Sequence, residues 1–367
     1  MSVGLSVVIP TRNEPLTWWT VCNLWRAADG VPLDVIIVDD GSDIDITSIE
    51  HWPEAATKKP ANCALRILAD DTGPIGNCYR RDQGILAAQY DAVLVLDAHC
   101  NMLSGVPAEL LAWYNHAPAV ISCTMSAQLS SHEDRYEMAD AKGSPYVGAY
   151  IQASQLTSQG EYRIIQGVWT RRAGVREQLA EGAAADIGCL MGGAYLMSQA
   201  NYAFGLCRPW QYNRGWGTSE PVIAIAQAAA DQPIQVIPVL IGHDYRSGKQ
   251  HLVPYRVPPV HHIIANQLLA AAMMYGRESA EFRAGADYVS QGRVSSGMIA
   301  AALAELVDNG GLVYAEKINK AMPPARLQEW MAAYAEQEPA IFEASTDATG
   351  NPAPENLPPG MFDEAPA

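Results

Sequence analysis

The sequence predicts an α/β fold with a mainly parallel sheet and helices on both of its faces. Short apolar runs rich in β-branched residues are typical of buried strands, and stretches with apolar residues at helical spacing lie between them. The predicted strands are 5–10, 33–42, 91–97 and 118–123. The predicted helices between them are 17–28 and 76–89. Buried strands that alternate with helices are the pattern of a parallel sheet covered on both faces.

The next part of the chain is less regular. Between residues 126 and 188 the periodicity weakens, and we expect irregular loops with a few short strands. The elements predicted after it are a turn at 192–198, a helix at 215–230 and a strand at 234–246. With these elements the α/β domain covers residues 1–258.

The last third of the chain has a different composition. Residues 259–344 contain alanine-rich stretches with amphipathic spacing, which predicts a helical extension. Residues 345–367 are polar, acidic and rich in proline, so we expect a disordered tail.

Composition narrows the possible functions. The chain has 367 residues, is 49% hydrophobic and has a formal net charge of −16. An acidic chain is not expected to bind nucleic acid unspecifically. The segment 163–176 nevertheless carries four arginines near aromatic residues, which is consistent with a local DNA-facing patch or with a solvated loop. These arginines are Arg163, Arg171, Arg172 and Arg176.

Cysteine usage and hydropathy suggest a cytoplasmic protein. The seven cysteines include no C-x-x-C pair, so we expect buried free thiols and neither a disulfide framework nor a structural zinc site. No apolar run reaches the length of a membrane span, and the first residues lack the basic region of a signal peptide. The sequence leaves the oligomeric state open.

Three polar clusters follow predicted strands: "PTRNE", "DDGS" and "DAHC". Since the carboxyl ends of parallel strands meet at one rim of a sheet, these clusters should converge there. Asp97 and His99 are two residues apart, so in extended geometry both side chains point the same way. A carboxylate with an imidazole suits Mn²⁺, and His243 could complete the site. The alternative is an N-cap aspartate beside a surface histidine.

The other polar groups have a functional and a structural interpretation as well. Asp39 and Asp40 could accept hydrogen bonds from a uracil N–H or ribose hydroxyls, or could cap a turn. Arg246 and His251 could contact a diphosphate, or lie in a solvated loop. Glu220 could act in a site or favour the start of the next helix through its dipole.

Order and spacing of the motifs carry more information than any motif alone. The series "SVVIPTRNE", "VIIVDDGS", "VLVLDAHC", "GGAYLMS", "WGTSE" and "GHDYR" with the following "KQH" and "PY" resembles GT-A fold glycosyltransferases of the family 2 type. The D-x-H motif followed by cysteine, the Gly-Gly segment and the G-H-x-Y-R motif resemble those of the polypeptide N-acetylgalactosaminyltransferases. The resemblance extends over roughly residues 3–256.

The resemblance implies a role for each matching residue. It places three residues around Mn²⁺, or another divalent cation such as Mg²⁺: Asp97, His99 and His243. It places nine residues around the nucleotide-sugar: Thr11, Glu14, Asp39, Asp40, Arg80, Arg81, Gly192, Gly193 and His251. It assigns catalysis to Glu220, Arg246 and Trp216, with Trp216 in a mobile loop over the donor.

The implied activity is transfer of a sugar from a UDP-sugar to an acceptor hydroxyl. Pro221 replaces the second acid of the pair that supplies the base of inverting family 2 enzymes, which favours retention of configuration. The resemblance implies that the acceptor is the hydroxyl of a protein Ser or Thr. The alternative acceptor is a hydroxymethylated pyrimidine in phage DNA, and the setting would then be a bacterial or phage-infected cell. One rival function is a nucleotide-sugar-binding protein without turnover. The other is a nucleotidyltransferase, which would need a glycine- and lysine-rich phosphate loop near the first strand. The segment "PTRNEPLT" at that position contains neither glycine nor lysine.

The segment 208–220 predicts a loop that closes over the donor. Glycines that flank aromatic rings allow a swing that excludes water, which competes with the acceptor for the activated sugar. We therefore expect Trp216→Ala to lower the transfer rate strongly and the melting temperature little. If Trp216 is instead a core residue, the substitution will cost about 3–5 kcal/mol of unfolding free energy. Activity per folded molecule, measured beside thermal unfolding, distinguishes the two.

Overall fold

The structure, a computed structural model, describes most of the chain. The described residues are 1–43, 45–48, 57–69, 73–129, 142–156, 162–215, 217–244, 260–283 and 295–338. Trp216, Arg246, His251 and the tail 345–367 lie outside the described residues, so their predicted roles stay predictions.

Twelve strands are present in the described part of the chain. They are β1 (Leu5–Thr11), β2 (Leu33–Asp39), β3 (Ala64–Leu68), β4 (Ala92–Leu96), β5 (Cys100–Met102), β6 (Ile121–Gln128), β7 (Lys142–Tyr146), β8 (Ala149–Leu156), β9 (Tyr162–Trp169), β10 (Ala185–Asp186), β11 (Ala194–Ser198) and β12 (Ile234–His243).

The α-helices of the described residues precede, separate and follow these strands. They are α1 (Thr17–Ala27), α2 (Asn77–Leu86), α3 (Val106–His116), α4 (Ala173–Ala180), α5 (Ser219–Ala229), α6 (Val260–Tyr275), α7 (Ser296–Asp308), α8 (Gly311–Ala321) and α9 (Pro324–Ala335).

A ten-stranded sheet forms the centre of the molecule, which confirms the predicted α/β class. Its strand order is β10-β12-β6-β11-β4-β1-β2-β3, and β5 and β7 pair with β12 and β6. The four strands β3, β2, β1 and β4 are parallel, as are β6 and β12. Strand β11 runs antiparallel to both of its neighbours, so the whole sheet is mixed. Because of its direction, β11 begins at the rim where β4 ends, with Ala194 opposite Leu96.

Alternation along the central strands divides the core into two layers. Val8 of β1 and Ile36 of β2 belong to one apolar cluster, with Ile85 of α2. Val7 and Ile37 point to the other face, where they join the apolar residues of α1. Helices therefore cover both faces of the sheet, as the buried strands predicted.

The region between residues 126 and 188 is more regular than the sequence suggests. Strand β6 continues to Gln128, and β8 and β9 form an antiparallel hairpin in a separate two-stranded sheet. The strand pattern of "AYIQASQL" is weak because alanine and glutamine interrupt the apolar positions. The expectation of mainly irregular loops in this region is wrong.

The helices after residue 258 pack on the α/β region. Leu268, Met273 and Met274 of α6 are fully buried and share one apolar cluster with Val222 and Ile225 of α5. The helical extension thus uses the core of the sheet domain. No single helix of the described residues is long and apolar enough to cross a membrane, and α7 with α8 reaches the required length only as a pair bent by 68°.

All seven cysteines are free thiols, as predicted. Six are buried and Cys207 is half-buried.

Gly84 of α2 lies where the helix approaches β1 most closely. A Cβ atom there would stand 2.3 Å from Cγ1 of Val8. We expect Gly84→Ala to destabilise the fold by about 1–3 kcal/mol, because overpacking outweighs the better helix propensity of alanine. Gly174→Ala is the matched control in α4, since nothing lies within 4 Å of its Cβ position. Denaturant unfolding measures both, and a neutral Gly84→Ala would contradict the packing argument.

Candidate active site

The structure brings the three predicted metal ligands together at one rim of the sheet. Asp97 follows β4 and His243 ends β12, while the short strand β5 pairs with β12 and so holds His99 beside them. The potential ligand atoms of the three residues all lie within 4.8 Å of one another. The Nε2 atom of His243 is 3.3 Å from Oδ2 of Asp97. Metal–ligand distances are about 2.0–2.3 Å for such atoms, so small rotations suffice for all three to contact one ion.

Helix α1 fixes the turn that carries Asp97 and His99. The hydroxyl of Thr20 contacts the carbonyl oxygens of Ala98 and Cys100 at 3.0 and 3.1 Å. The side chain of Asn23 accepts a hydrogen bond of 2.7 Å from the backbone N–H of Met102. These buried contacts hold the backbone between the ligands in one conformation.

Gly193 makes room for the His243 ring. Its carbonyl oxygen accepts a hydrogen bond of 2.8 Å from the N–H of Asp97. A Cβ atom on Gly193 would stand 2.4 Å from Cδ2 of His243, much closer than a van der Waals contact. The Gly-Gly segment was predicted to lie at the nucleotide-sugar, and here Gly193 lies directly against His243, a predicted metal ligand.

Arg81, on the buried side of the rim, neutralises the negative charges of Asp97 and Glu220. Its guanidinium is 2.9 Å from Oδ1 of Asp97 and 3.4 Å from Oε1 of Glu220, with only 3% of the side chain exposed. It also lies 5.4 Å from the ring centre of Tyr195. Burial lowers the pKa of Arg81, but the nearby negative groups outweigh this effect and raise it. The side chain was expected against the nucleotide-sugar, and the structure shows it joining two acidic groups.

The protonation states of the ligands favour cation binding. Burial alone would raise the pKa of Asp97, but the hydrogen bond with His243 and the charge of Arg81 together lower it well below its ordinary value. Burial lowers the pKa of His243, and Asp97 only partly opposes this. At neutral pH the site thus offers a carboxylate and a neutral imidazole, the forms that bind metals.

Glu14 lies beside His99. Its Oε2 atom is 3.5 Å from Nδ1 of His99, and its Oε1 accepts a hydrogen bond of 3.0 Å from the N–H of Leu16. A carboxylate beside a metal-binding imidazole commonly sets the orientation of the ring. Thr11 is bonded to the hydroxyl of Thr17 at 2.8 Å, just before this loop.

Asp40 and Arg80 form a buried pair beside the site. Oδ1 of Asp40 accepts hydrogen bonds from Arg80 Nε at 3.0 Å and from the N–H of Ile75 at 2.8 Å. Arg80 also donates to the carbonyl oxygen of Gly73 at 2.8 Å. The pair fixes the loop that enters α2 to the end of β2. A role of either residue at the nucleotide stays a prediction.

Asp39 has the contacts of a turn cap. Its Oδ1 atom accepts hydrogen bonds of 2.6 Å from the hydroxyl and 3.1 Å from the N–H of Ser42.

Tyr195 is a site residue that the sequence analysis missed. Its hydroxyl is 2.8 Å from Oε1 of Glu220 and 2.5 Å from the carbonyl oxygen of Gly192. The other oxygen of Glu220 accepts a hydrogen bond of 2.7 Å from Ser219. The only signal for Tyr195 was its place three residues after Gly192. The turn predicted at 192–198 is wrong, because residues 194–198 form the buried strand β11. Glu220 lies in the first turn of α5, which agrees with the helix-start interpretation. Arg81 contacts both Glu220 and Asp97, so Glu220 is separated from the predicted metal ligands by this one side chain.

The segment before α5 is anchored to several elements. The N–H of Gly215 donates to Ile75 at 2.6 Å, and a Cβ on Gly76 would stand 2.2 Å from the nitrogen of Gly215. Trp210 is fully buried, with its indole N–H bonded to the carbonyl oxygen of Ser219 at 2.9 Å. Trp210 is therefore a core residue, and the lid hypothesis applies only to the part around Trp216.

A second cluster of possible metal ligands lies between α6 and α7. It consists of His261, His262 and Glu305, and their ligand atoms also lie within 4.8 Å of one another. Burial, with His261 and Arg214 nearby, lowers the pKa of His262 to about 4. Burial raises the pKa of Glu305, and the charge of Arg214 opposes this.

Gly193→Ala tests the geometry of the first cluster. The added methyl group must displace the His243 ring, so we expect divalent-ion affinity to fall by about 10–100-fold, the effect typical of lost support around a metal ligand. Gly167→Ala is the control, because its Cβ would make an ordinary contact of 3.4 Å with Cys189. Titration of each protein with Mn²⁺ gives the affinities. Equal affinity in both variants would show that His243 is not a ligand.

Comparison with known proteins gives a family match for the first half of the chain. Residues 6–180 match the sequence profile of glycosyl transferase family 2. A comparison with curated protein sequences finds no significant match.

Similar folds occur among solved structures. A crystal structure of GalNAc-T7 with UDP, GalNAc and Mn²⁺ superposes with a TM-score of 0.58 and 16% identity, covering 84% of this chain. The match spans 55% of the GalNAc-T7 chain. The mannosyltransferase PcManGT from Pyrobaculum calidifontis, in complex with GDP-Man and Mn²⁺, has a TM-score of 0.42 and 15% identity over 92% of this chain and 86% of its own. S. aureus TarS 1–349 in complex with UDP-GlcNAc has a TM-score of 0.44 and 11% identity over 91% of this chain and 88% of its own.

The fold shared with GalNAc-T7 agrees with the predicted α/β architecture, in which helices cover both faces of a central sheet. Together with the match over residues 6–180, it shows that the chain shares the GT-A fold of glycosyltransferases.

Proposed function

We propose that the protein transfers a sugar from a UDP-sugar to an acceptor hydroxyl and requires Mn²⁺ or Mg²⁺. The observation that carries the proposal is the convergence of Asp97, His99 and His243 at the rim of the sheet. One carboxylate and two imidazoles leave open coordination positions, and Mn²⁺ accepts both ligand types together with phosphate oxygens. The GalNAc-T7 structure of similar fold contains UDP and Mn²⁺, which supports the same donor chemistry here.

A cation bound there would stabilise the negative charge of a leaving UDP. The residues of the chain supply the frame for this chemistry. Arg81 balances the charge of Asp97 on the side that faces the core, and Glu14 lies beside the His99 ring. Arg246 and His251, which the sequence places near the diphosphate, remain part of this proposal.

We further propose that the anomeric configuration is retained. Glu220 is the acid next to the metal ligands, and its two oxygens already accept hydrogen bonds from Tyr195 and Ser219 while Arg81 lies 3.4 Å away. A carboxylate with these partners is a positioned anion near the donor and a poor candidate for the base of an inverting attack. Proton NMR of the sugar released by slow donor hydrolysis, recorded before mutarotation, shows which anomer forms first.

The acceptor hydroxyl is proposed to belong to a protein Ser or Thr side chain or to a hydroxymethylated pyrimidine in DNA. Arg171 and Arg176 are exposed, as a DNA-facing patch requires, but acidic groups share their surface. The N–H of Arg171 donates to Glu338, and Glu177 lies next to Arg176 on α4. Incubation with a panel of UDP-sugars, peptides and hydroxymethylated DNA, read by mass spectrometry, identifies the acceptor. A nucleotide-sugar-binding protein without turnover would release no sugar from any donor in this panel.

Asp97→Asn tests the metal dependence. Loss of the carboxylate charge should lower Mn²⁺-dependent UDP affinity by at least about 10-fold, because it removes a ligand and leaves Arg81 without this partner. Calorimetric titration with UDP, with and without Mn²⁺, provides the measurement. Asp231→Asn is the control, since the Asp231 side chain is 86% exposed. If UDP binds Asp97→Asn and the control equally well in Mn²⁺, the proposed site is incorrect.

A further inference from the structure

We propose that His261, His262 and Glu305 form a second metal site, which binds a transition-metal ion of the Zn²⁺ type. The two histidines lie in the first turn of α6, and Glu305 reaches them from the third turn of α7. None of the three belongs to the cluster around Asp97, so the two sites have separate ligands.

Two ligand atoms of this cluster lack a partner. Nδ1 of His262 and Oε2 of Glu305 are screened from solvent and have no hydrogen bond within the described residues. The nearest approach between the two side chains, from Nε2 of His262 to Oε2 of Glu305, is 4.0 Å, too long for a hydrogen bond. Buried polar atoms are normally paired, so an unpaired Oε2 of Glu305 beside Nε2 of His262 indicates a missing ion or ligand.

Arg214 is close to the cluster but does not satisfy it. Its Nε atom is 3.9 Å from Oε1 of Glu305, whereas its terminal nitrogen donates to the carbonyl oxygens of Gln211 and Asn213 at 2.7 and 3.1 Å. Its guanidinium also lies 4.7 Å from the ring centre of Tyr79. Arg214 therefore leaves Oε2 of Glu305 available to a cation.

The donor set determines the kind of ligand. The negative charge of the Glu305 carboxylate would repel an anion at this position. Two imidazoles with one carboxylate, the same donor set as in the first cluster, match the three-ligand sites of transition-metal ions such as Zn²⁺. The two adjacent histidines can contact one ion here because their rings are close and nearly perpendicular, with centroids 4.4 Å apart and an interplanar angle of 78°.

An ion at this position would stabilise the residues that precede α5 and Glu220. The side chain of Asn266, one turn along α6, accepts a hydrogen bond of 3.0 Å from the N–H of Arg214 and donates to the carbonyl oxygen of Gly217 at 3.1 Å. That segment leads into α5 and Glu220. A metal that joins α6 to α7 would therefore hold the backbone groups of Arg214 and Gly217 through Asn266.

The experiment counts bound ions in the full chain after removal of metals with a chelator. We expect calorimetric titration with Zn²⁺ to show two specific sites in the wild type, one in Asp97→Asn and one in His262→Gln/Glu305→Gln. Thermal unfolding is the second measurement. Zn²⁺ should raise the melting temperature of Asp97→Asn, whose second site is intact, because a ligand of the folded state stabilises it. When His262→Gln and Glu305→Gln are added to Asp97→Asn, Zn²⁺ should no longer raise the melting temperature.

The single variants Glu305→Gln and His262→Gln, checked by circular dichroism, replace the double variant if it does not fold. His116→Gln removes an exposed histidine and is the matched control, which should bind as many ions as the wild type. The proposal is overturned if the Glu305 and His262 variants bind the same number of ions as the wild type. Because Asp97→Asn tests the other site, failure of the proposed catalytic metal site would appear separately, as an unchanged count in that variant alone.

Discussion

The ion pair between Asp97 and Arg81 is the interaction on which the rest of the site depends. A carboxylate at the end of a buried strand requires a compensating charge, and Arg81 provides it from within the core. The same guanidinium lies beside Glu220, so one positive charge links the predicted metal ligand Asp97 to the acid at the start of α5. Removal of Asp97 would leave the Arg81 guanidinium, which is only 3% exposed, without its nearest counter-charge and would destabilise the fold. Stability and function therefore share the same residues at this rim.

The direction of β11 is the second constraint. Its start meets the end of β4, which brings the Gly-Gly segment directly beside Asp97. Only a residue without a Cβ atom fits there, because His243 occupies the space. An antiparallel strand in a largely parallel neighbourhood thus serves the site, since a parallel strand would place its amino end at the opposite rim.

The sequence predicted what depends on local pattern. Periodicity predicted β1, β2, β4 and their helices. The predicted proximity of Asp97 and His99 is present, but a turn between β4 and β5, and not an extended strand, produces it. The contacts of Tyr195 with Glu220 join residues 25 positions apart, and those of Arg80 with Asp40 join residues 40 positions apart. Neither follows from spacing along a strand or helix. Trp210 lies in the segment predicted as a mobile loop, with a core position as the alternative, and its ring is completely buried.

The helices after residue 258 belong to the physical basis of the site as well. Composition separates them from the α/β domain, yet α6 is buried along most of its length against α5. Since α5 carries Glu220, and Asn266 of α6 holds the backbone of Arg214 and Gly217, the position of the acid depends on both helices. Amphipathic spacing predicts that a helix buries one face, but the identity of the surface it covers is a tertiary contact. The boundary that composition draws is therefore a change in sequence character within one continuous core.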